Sequence, residues 1–306
     1  MSSLDWLEQY ESAIGAGSSP SEVELGAPPP PPQLEHHELS LGFTPAPPTI
    51  LKPARPRGRI AVLRSVSGGA GRTTLAGNLA FEIASLGRSV CLVDLDHQHP
   101  SLHRYFGIAS PKAAVLAGVR FLEQGRFGTA TIDDLKVRLL SKGVSVDLFA
   151  GVGLPENMVN LNLQSVEELL LQLATNYQYV VVDSAPGVAT ELSQALDACA
   201  TETIWVTLPD AISMGRFIDA QQGIGATNPT AEQRLVVNRL RASVLGARPE
   251  WQVQQLLRDR SALQLASMIV EDQALDQAML QGLPLRQVAA RSKALAAVNQ
   301  LAKRIA

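Results

Sequence analysis

Cysteine is almost absent from this chain of 306 residues, which contains only Cys91 and Cys199. Both lie in apolar stretches, and they are not paired at any metal-ligand spacing. The scarcity argues against a disulfide framework and against a cysteine metal site, and it is typical of a protein from a reducing compartment.

Long apolar runs and an excess of positive charge are also missing. No apolar stretch reaches the roughly 20 residues of a membrane-spanning helix, and the acidic N-terminus lacks the apolar core of a secretory signal. The net charge of −3 gives no global reason to expect binding to nucleic acid or to an anionic membrane. Hydrophobic residues make up 46% of the chain, so it can still bury a substantial core.

The N-terminal residues 1–17 contain an amphipathic pattern. Apolar residues recur there at three- and four-residue spacing, namely Leu4, Leu7, Tyr10 and Ile14. A helix of this length is not stable alone in water. Two interpretations therefore stay open: a helix that docks on a partner or on its own domain, or a disordered tail with chance periodicity.

Residues 18–58 contain two clusters of proline, one at 28–32 and one at 45–48. Proline at this density favours extended polyproline conformations and prevents helices and sheets. We therefore predict a disordered linker over 18–58 and a folded domain over 59–306.

The folded part begins with a strand, a glycine-rich turn and a helix. Ile60–Leu63 is a short apolar run, residues 67–71 are rich in glycine, and Thr73 opens a segment with helical spacing. In this arrangement glycines let the backbone wrap around a phosphate, while the N–H groups of the loop and of the helix N-terminus point at it.

Further along the chain, polar residues follow apolar strands. Asp94 and Asp96 end a strand that starts at Ser89, Asp183 ends another, and Asn238 ends a late one. Carboxylates beside bound phosphates can orient Mg²⁺ and an attacking water, and an Asn can pair with a purine edge. Strands that alternate with helices predict an α/β fold with a doubly wound, mostly parallel sheet flanked by helices.

Two regions give weaker signals. Residues 106–143 are predicted to be helical and loop-like, with no recognisable chemistry. His97, His99 and His103 lie close together, but no complementary ligand set accompanies them, so we expect them on a loop surface.

These motifs resemble the MinD/ParA family of deviant Walker A P-loop ATPases. Residues 67–74, Ser-Gly-Gly-Ala-Gly-Arg-Thr-Thr, are similar to the family loop Lys-Gly-Gly-x-Gly-Lys-Thr-Thr. Residues 93–96, 181–186 and 237–239 are similar to its second acidic motif, its Walker B strand and its Asn motif. The resemblance covers residue 58 to the C-terminus and is strongest to the CpaE/TadZ branch, which helps place pilus machinery. The BcsQ proteins of cellulose secretion and the FlhG group are neighbours.

The resemblance implies that 59–306 is a nucleotide-binding domain with ATP and Mg²⁺ as cofactors. Asp96 would position the attacking water, and Thr73, Asp94 and Asp183 would serve the metal. The implied nucleotide-binding residues are Ser67, Gly68, Gly69, Ala70, Gly71, Arg72, Thr73, Thr74, Asn238 and Arg239.

Two departures from the family pattern bear on catalysis. Ser67 stands where the family has the lysine that reaches across a nucleotide-sandwich dimer, and Arg72 stands where it has the loop lysine. A charge supplied in trans to phosphoryl transfer can be worth about 10³–10⁵ in rate. Ser67 cannot supply it, so we expect nucleotide binding with weak hydrolysis.

Two functions are therefore compatible with the sequence. The first is an ATP-dependent homodimer that recruits protein partners of an envelope, pilus, secretion or division apparatus. The alternative is a non-hydrolysing scaffold that docks partners through its N-terminal tail, in a BcsQ-like role. We expect a cytoplasmic protein, recruited in the first case to the inner face of the membrane or to a pole.

The C-terminal helix bears on direct membrane binding. Its apolar stripe lacks an aromatic anchor, so we expect it to pack on the domain rather than on a bilayer. The stripe consists of Leu295, Val298, Leu301 and Ile305.

Overall fold

The computed structural model describes residues 58–151, 162–187, 190–221, 231–241, 248–258, 261 and 263–306. The amphipathic segment predicted at 1–17 lies outside the described residues, and so does the predicted linker except for Gly58.

Within the described ranges the chain forms eight strands and eleven helices. The strands are β1 (Arg59–Arg64), β2 (Val90–Leu95), β3 (Val137–Ser141), β4 (Val144–Phe149), β5 (Tyr179–Ser184), β6 (Glu202–Thr207), β7 (Glu232–Leu240) and β8 (Gln264–Val270). The helices are α1 (Arg72–Ser85), α2 (Leu102–Tyr105), α3 (Ala114–Glu123), α4 (Thr129–Leu135), α5 (Leu163–Asn176), α6 (Glu191–Cys199), α7 (Ala211–Ala220), α8 (Pro249–Arg258), α9 (Gln273–Gln281), α10 (Leu285–Val288) and α11 (Lys293–Ile305).

The strands form one sheet in the order β3-β4-β2-β5-β1-β6-β7-β8. Neighbouring strands are parallel except in the hairpin of β3 and β4. The first strand lies in the middle of the sheet, because β1 pairs with β5 on one side and with β6 on the other. The predicted doubly wound, mostly parallel sheet is thereby confirmed.

Helices cover both faces of this sheet. Nearly continuous apolar strands require such cover, and every residue of β5 is buried. On one face α1, α9, α10 and α11 enclose a core that includes Phe81. On the other face α3 to α6 pack around residues such as Leu169. A smaller core around Trp205 joins β6, β7 and β8 to α7 and α8.

The edge strand β3 lies in the region for which the sequence predicted helices and loops, so that prediction was wrong at 137–141. Lys142 and Gly143 connect β3 to β4 at φ angles of 47° and 77°, a positive-φ pair that suits a tight hairpin. The strand escaped prediction because it is short and little buried: Leu140 is 72% exposed. Pairing with β4, rather than its own composition, makes this segment a strand.

A buried carboxylate fastens the same hairpin to its surroundings. Asp147 of β4 accepts hydrogen bonds from Arg138 Nε at 3.0 Å and from the Tyr177 hydroxyl at 2.9 Å, and Lys136 Nζ lies 3.1 Å away. Burial raises the pKa of Asp147, but these three donors outweigh it and hold the pKa below its ordinary value. The ionised carboxylate therefore stabilises this edge of the sheet.

The C-terminal helix α11 packs against α1 and β8. The four residues of its apolar stripe are all buried, with Leu301 fully so. At its end the Tyr179 hydroxyl donates to the carbonyl of Ile305 at 2.7 Å. The expectation that this stripe packs on the domain is confirmed. Across the described ranges, each helix is too short or too polar to span a bilayer.

Candidate functional site

The loop between β1 and α1 is shaped to receive an anion. Gly69 and Gly71 have φ angles of 80° and 89°, a left-handed conformation that residues with side chains rarely adopt. Gly71 is the N-cap of α1, and no side chain caps this helix. The first N–H groups of α1 therefore remain available to a phosphate. The Ser65 hydroxyl steadies the loop by donating to the Ser67 carbonyl at 2.7 Å.

Three buried aspartates lie at the same edge of the sheet as this loop. Asp94 of β2 is the register partner of Asp183 of β5, and Asp96 follows directly after β2. Leu63, at the end of β1, is the other register neighbour of Asp183. The structure thus brings together the loop and the carboxylates that the sequence predicts to meet.

Asp94 has its hydrogen-bonding capacity taken up by the backbone. One oxygen accepts from the N–H groups of Ser101 and Leu102, each at 2.9 Å, and the other accepts from the N–H of Asp96 at 3.3 Å. Burial, and then the charge of Asp183, raise the pKa of Asp94 to about 8. Asp94 therefore shapes the loop that leads from β2 into α2 and fixes the position of Asp96.

Asp96 faces Arg72, the residue that replaces the loop lysine. Its Oδ1 accepts from the N–H groups of Gln98 and His99 at 3.1 and 3.0 Å. Its Oδ2 lies 3.4 Å from Nη2 of Arg72, and both side chains are only 7% exposed. Nη1 of Arg72 is buried without a hydrogen-bond partner in the described structure. The guanidinium is thus turned inward, with one donor group unused.

Asp183 is the least satisfied of the three carboxylates. Both of its oxygens are buried, and neither accepts a well-formed hydrogen bond from the described residues. Burial raises the pKa of Asp183 to about 6, against the lowering effects of the Arg72 charge and the Thr73 hydroxyl. Two unsatisfied buried oxygens mark a position that suits a cation or a donor delivered by a ligand.

The donor chemistry at this position fits Mg²⁺ in part. Carboxylate and hydroxyl oxygens, here from Asp183 and Thr73, are the hard ligands that Mg²⁺ prefers. Across the described residues, however, no group of three or more His, Cys, Asp or Glu is placed to hold a metal. A Mg²⁺ ion would therefore depend on phosphate and water oxygens for the rest of its shell.

Asn238 of β7 holds the glycine loop between β1 and α1 in place. Its Nδ2 donates to the carbonyl of Ala70 at 2.8 Å, and the side chain is 6% exposed. A Cβ on Gly71 would lie 2.4 Å from the same Nδ2 atom. The absence of a side chain at Gly71 therefore lets Asn238 approach the loop closely enough to hold it.

A cavity of about 260 Å³ opens beside Asn238. Arg239 lines it from β7, where a φ of 57° coincides with an irregular register against β8. Leu275 and Met279 of α9 contribute apolar surface, and the Thr74 hydroxyl contacts the Met279 sulfur at 3.8 Å. The cavity therefore combines apolar surface with polar groups, next to the predicted phosphate loop.

The predicted site residues fall into three neighbouring parts. Ser67 to Gly71 lie in the loop and Arg72, Thr73 and Thr74 in the first turn of α1; Asp94, Asp96 and Asp183 lie at the ends of β2 and β5; Asn238 and Arg239 lie near the end of β7. The sequence did not single out Leu275 and Met279 of α9 as cavity residues. Their apolar character is ordinary for a helix, so no local signal marked them.

Among the described residues, no histidine side chain and no cysteine forms a hydrogen bond or ion pair with the site residues. His103 is buried in α2, which corrects its expected place on a loop surface. The bonds from Ser101 and Leu102 to Asp94 pull the start of α2 against the sheet and bury the residue that follows. Cys91 in β2 and Cys199 in α6 are free and buried, as their apolar contexts predict.

Comparisons with known proteins agree with this fold. The chain is similar to the septum site-determining protein MinD of Bacillus subtilis (strain 168), with 27% identity over 253 residues, 81% of this chain and 89% of that protein. Among solved structures it resembles MinD of Pyrococcus horikoshii complexed with Mg-ADP (TM-score 0.65, 20% identity, 81% of this chain and 96% of that one). It also resembles the MinC:MinD complex of Aquifex aeolicus (TM-score 0.64, 19% identity, 81% and 96%). The two structures, at these identities, support the fold alone.

A match to a family sequence profile shows which family the chain belongs to. The profile described as CobQ/CobB/MinD/ParA nucleotide binding domain matches residues 61–285, which contain every predicted site residue. The match spans well over half of the chain, from the middle of β1 to the start of α10. The chain therefore belongs to the CobQ/CobB/MinD/ParA family of nucleotide-binding domains.

Proposed function

We propose that this protein is an ATP-binding switch of the MinD/ParA type that dimerises with nucleotide and recruits an envelope, pilus, secretion or division apparatus. The observation that supports it most is the meeting of the glycine loop with three buried carboxylates at one sheet edge. A solved relative in complex with Mg-ADP and another in complex with MinC agree with a nucleotide site and a protein partner.

In this proposal each part of the site has a separate task. The loop 67–74 binds the phosphates through its N–H groups, and the cavity beside Asn238 and Arg239 receives the base. Asp183 and Thr73 offer oxygens to Mg²⁺, which, when bound, neutralises phosphate charge. Asp94 holds the backbone that carries Asp96, and Asp96 orients a water.

Hydrolysis is proposed to be weak for two reasons. Ser67 carries no charge that could reach across a dimer, and such a charge is worth about 10³–10⁵ in rate. In addition, Oδ1 of Asp96 is engaged by two backbone N–H groups, while Oδ2 faces Arg72. Both oxygens of Asp96 therefore already have partners that compete with an attacking water.

The finer assignments rest on the sequence. We place the chain nearest the CpaE/TadZ branch on the motif resemblance, and we divide it into segment 1–17, linker 18–58 and domain 59–306 on composition. We propose a cytoplasmic location with recruitment through protein partners.

The second candidate is the non-hydrolysing scaffold. Ser67 and the inward-facing Arg72 favour it, because neither is placed to stabilise a transferring phosphoryl group. ATP affinity and turnover of the full chain separate the two functions, with the dimer followed by light scattering. Asp96→Ala removes the proposed water-orienting group, and Asp134→Ala, an exposed carboxylate on α4, is the matched control.

For the switch we expect ATP binding, an ATP-dependent dimer, and slow turnover that Asp96→Ala abolishes and Asp134→Ala preserves. If the protein binds no nucleotide either in the presence or in the absence of Mg²⁺, the switch is refuted and the scaffold is favoured. Binding and dimerisation without measurable turnover would retain the switch and refute its hydrolytic step.

A further inference from the structure

The C-terminal part of the chain is strongly basic, although the chain as a whole is acidic. Residues 277–306 contain five Arg and Lys residues and no Asp or Glu, whereas the net charge of the full chain is −3. These residues include α10 and α11, which lie together on one face of the sheet. Folding therefore concentrates positive charge on one side of the domain.

A cavity of about 490 Å³ opens between α10, α11 and the turn that joins β3 to β4. Four cations line it: Lys142 in that turn, Arg286 in α10, Arg291 just before α11, and Lys303 near the end of α11. We call this cavity with its four cations the basic cleft. The part of its lining that the structure describes contains none of the residues predicted for the nucleotide site, so the cleft is a separate surface.

The carboxylate that lines the basic cleft, Glu82 of α1, does not neutralise it. Oε2 of Glu82 accepts from Nδ2 of Asn299 at 2.6 Å, and Oε1 lies 3.9 Å from Nε of Arg286. The Glu82 side chain is only 5% exposed, so its charge is compensated below the surface by one of the four cations. Within the described residues the other three cations form no ion pair. Lys142 Nζ donates to the carbonyl of Arg286 at 3.0 Å, which leaves two of its three N–H donors for a ligand.

The spacing of these cations selects the shape of the ligand. Arg291 and Lys303 are 12 positions apart along α11. At about 1.5 Å per residue their Cα atoms lie roughly 18 Å apart. A single phosphate or carboxylate group does not span this distance, whereas an extended peptide of about six residues does, at about 3.3 Å per residue. The basic cleft therefore suits a short anionic chain better than a small anion.

We propose that the basic cleft is the docking site for an acidic segment of a partner protein, an extended peptide of about six residues rich in Asp and Glu. This inference rests on the proposed recruitment of a protein partner, to which it gives a chemistry and a place. The recessed Arg286 and Asn299 favour a peptide, because a peptide enters a cleft whereas the backbone of a DNA duplex or the surface of a bilayer contacts only protruding groups.

The first test measures the binding of a fluorescein-labelled hexaglutamate peptide to the full chain by fluorescence anisotropy, at low salt where charges are least screened. The double variant Lys142→Glu with Lys303→Glu should bind it about tenfold or more weakly than the wild type, because two attractions become repulsions. The matched control is Arg120→Glu with Arg126→Glu, the same change in net charge at exposed positions in and just after α3, on the other face of the sheet. It should bind within about twofold of the wild type.

The second test needs no variant, so it decides even where a charge reversal prevents folding. A carbodiimide couples carboxylates of the bound hexaglutamate to lysine amines of the wild-type protein, and mass spectrometry of the digested protein locates the coupled lysines. We expect coupling at Lys142 and Lys303, whose amines are exposed in the basic cleft. Lys112, which is also exposed but lies outside the cleft, should remain uncoupled.

The outcomes separate this inference from the function beneath it. Hexaglutamate binding that falls equally in both double variants, or coupling at Lys112 alone, overturns the docking site. So does a DNA duplex, or a vesicle of phosphatidylglycerol, that binds more tightly than the peptide and is released by the Lys142 and Lys303 reversals. Fluorescent mant-ATP is measured on the same proteins. Binding of mant-ATP without binding of the peptide overturns the basic cleft and leaves the switch standing, whereas absence of mant-ATP binding refutes the nucleotide site, which shares no residue with the cleft.

Discussion

A single methyl group placed at three positions of the phosphate loop tests how this loop is held. The variants are Gly68→Ala, Gly69→Ala and Gly71→Ala. Gly71 has a φ of 89°, and its added Cβ would lie 2.4 Å from Nδ2 of Asn238. Gly69 has a φ of 80° but open space around it, and Gly68 has open space with no left-handed φ. The three sites therefore separate backbone strain from steric contact.

The expected losses of stability follow from the backbone strain and the steric contact at each position. A left-handed conformation costs a residue with a Cβ about 1–2 kcal/mol, which is the whole effect expected for Gly69→Ala. In Gly71→Ala the Asn238 amide must also move and lose its bond to Ala70, worth about 0.5–1.5 kcal/mol. We therefore expect about 1.5–3.5 kcal/mol at Gly71 and less than about 0.5 kcal/mol at Gly68.

The free energy of unfolding of each variant is measured by urea denaturation of the nucleotide-free protein. The variants can be compared directly when their m-values are equal. The double variant Gly71→Ala with Asn238→Ala provides the decisive comparison, because removing the amide removes the steric contact. The pair should be less destabilised than the sum of the single variants, with a coupling of about 1 kcal/mol. Strict additivity, or a Gly68→Ala variant as unstable as Gly71→Ala, would refute the described packing of Asn238 on the loop.

Three further predictions follow from the rest of the fold. Asn78→Ala should cost about 1–3 kcal/mol in urea unfolding, because it leaves the buried N–H of Leu285 without its 2.7 Å acceptor; an unchanged midpoint would contradict that contact. Asp147→Asn should lower stability by about 1–3 kcal/mol at pH 7. The pKa of Asp147 is lowered on folding, so its contribution is present above the unfolded value of 3.8 and vanishes as pH falls through the folded value; a gap between wild type and variant that persists at the lowest pH would contradict this. In liposome sedimentation with and without ATP the protein should stay in the supernatant, since the apolar stripe of α11 is buried; lipid binding would show that another surface contacts the membrane.

The sequence predicts the sheet and the edge that carries the site. Strands β1, β2 and β5 are nearly continuous apolar runs, which is the pattern of strands covered on both faces. Parallel strands bring their carboxyl ends to one edge, so the sequence alone places Asp94 and Asp183 together. The edge strand β3 was missed because its residues carry only half of that pattern.

The use of the carboxylates could not be predicted in the same way. Asp94 and Asp183 look alike in sequence, each at the end of a buried strand. In the structure Asp94 accepts hydrogen bonds from three backbone N–H groups, whereas neither oxygen of Asp183 has a hydrogen-bond partner among the described residues. The difference comes from where the chain turns after β2, which brings two N–H groups to Asp94. The inward direction of Arg72, towards Oδ2 of Asp96, likewise depends on where the assembled sheet edge places its carboxylates.

The central position of β1 has a consequence for how the protein is made. Its partners β5 and β6 follow far later in the chain, with Arg59 paired to Tyr179 and Ala61 to Glu202. The brace from Asn238 to Ala70 spans 168 residues. At a synthesis rate of about 5–20 residues per second, roughly 8–34 s separate the emergence of the loop from that of its brace. During this interval the loop is part of a nascent chain whose sheet is still incomplete. A nascent chain that ends before β7 therefore lacks a complete site.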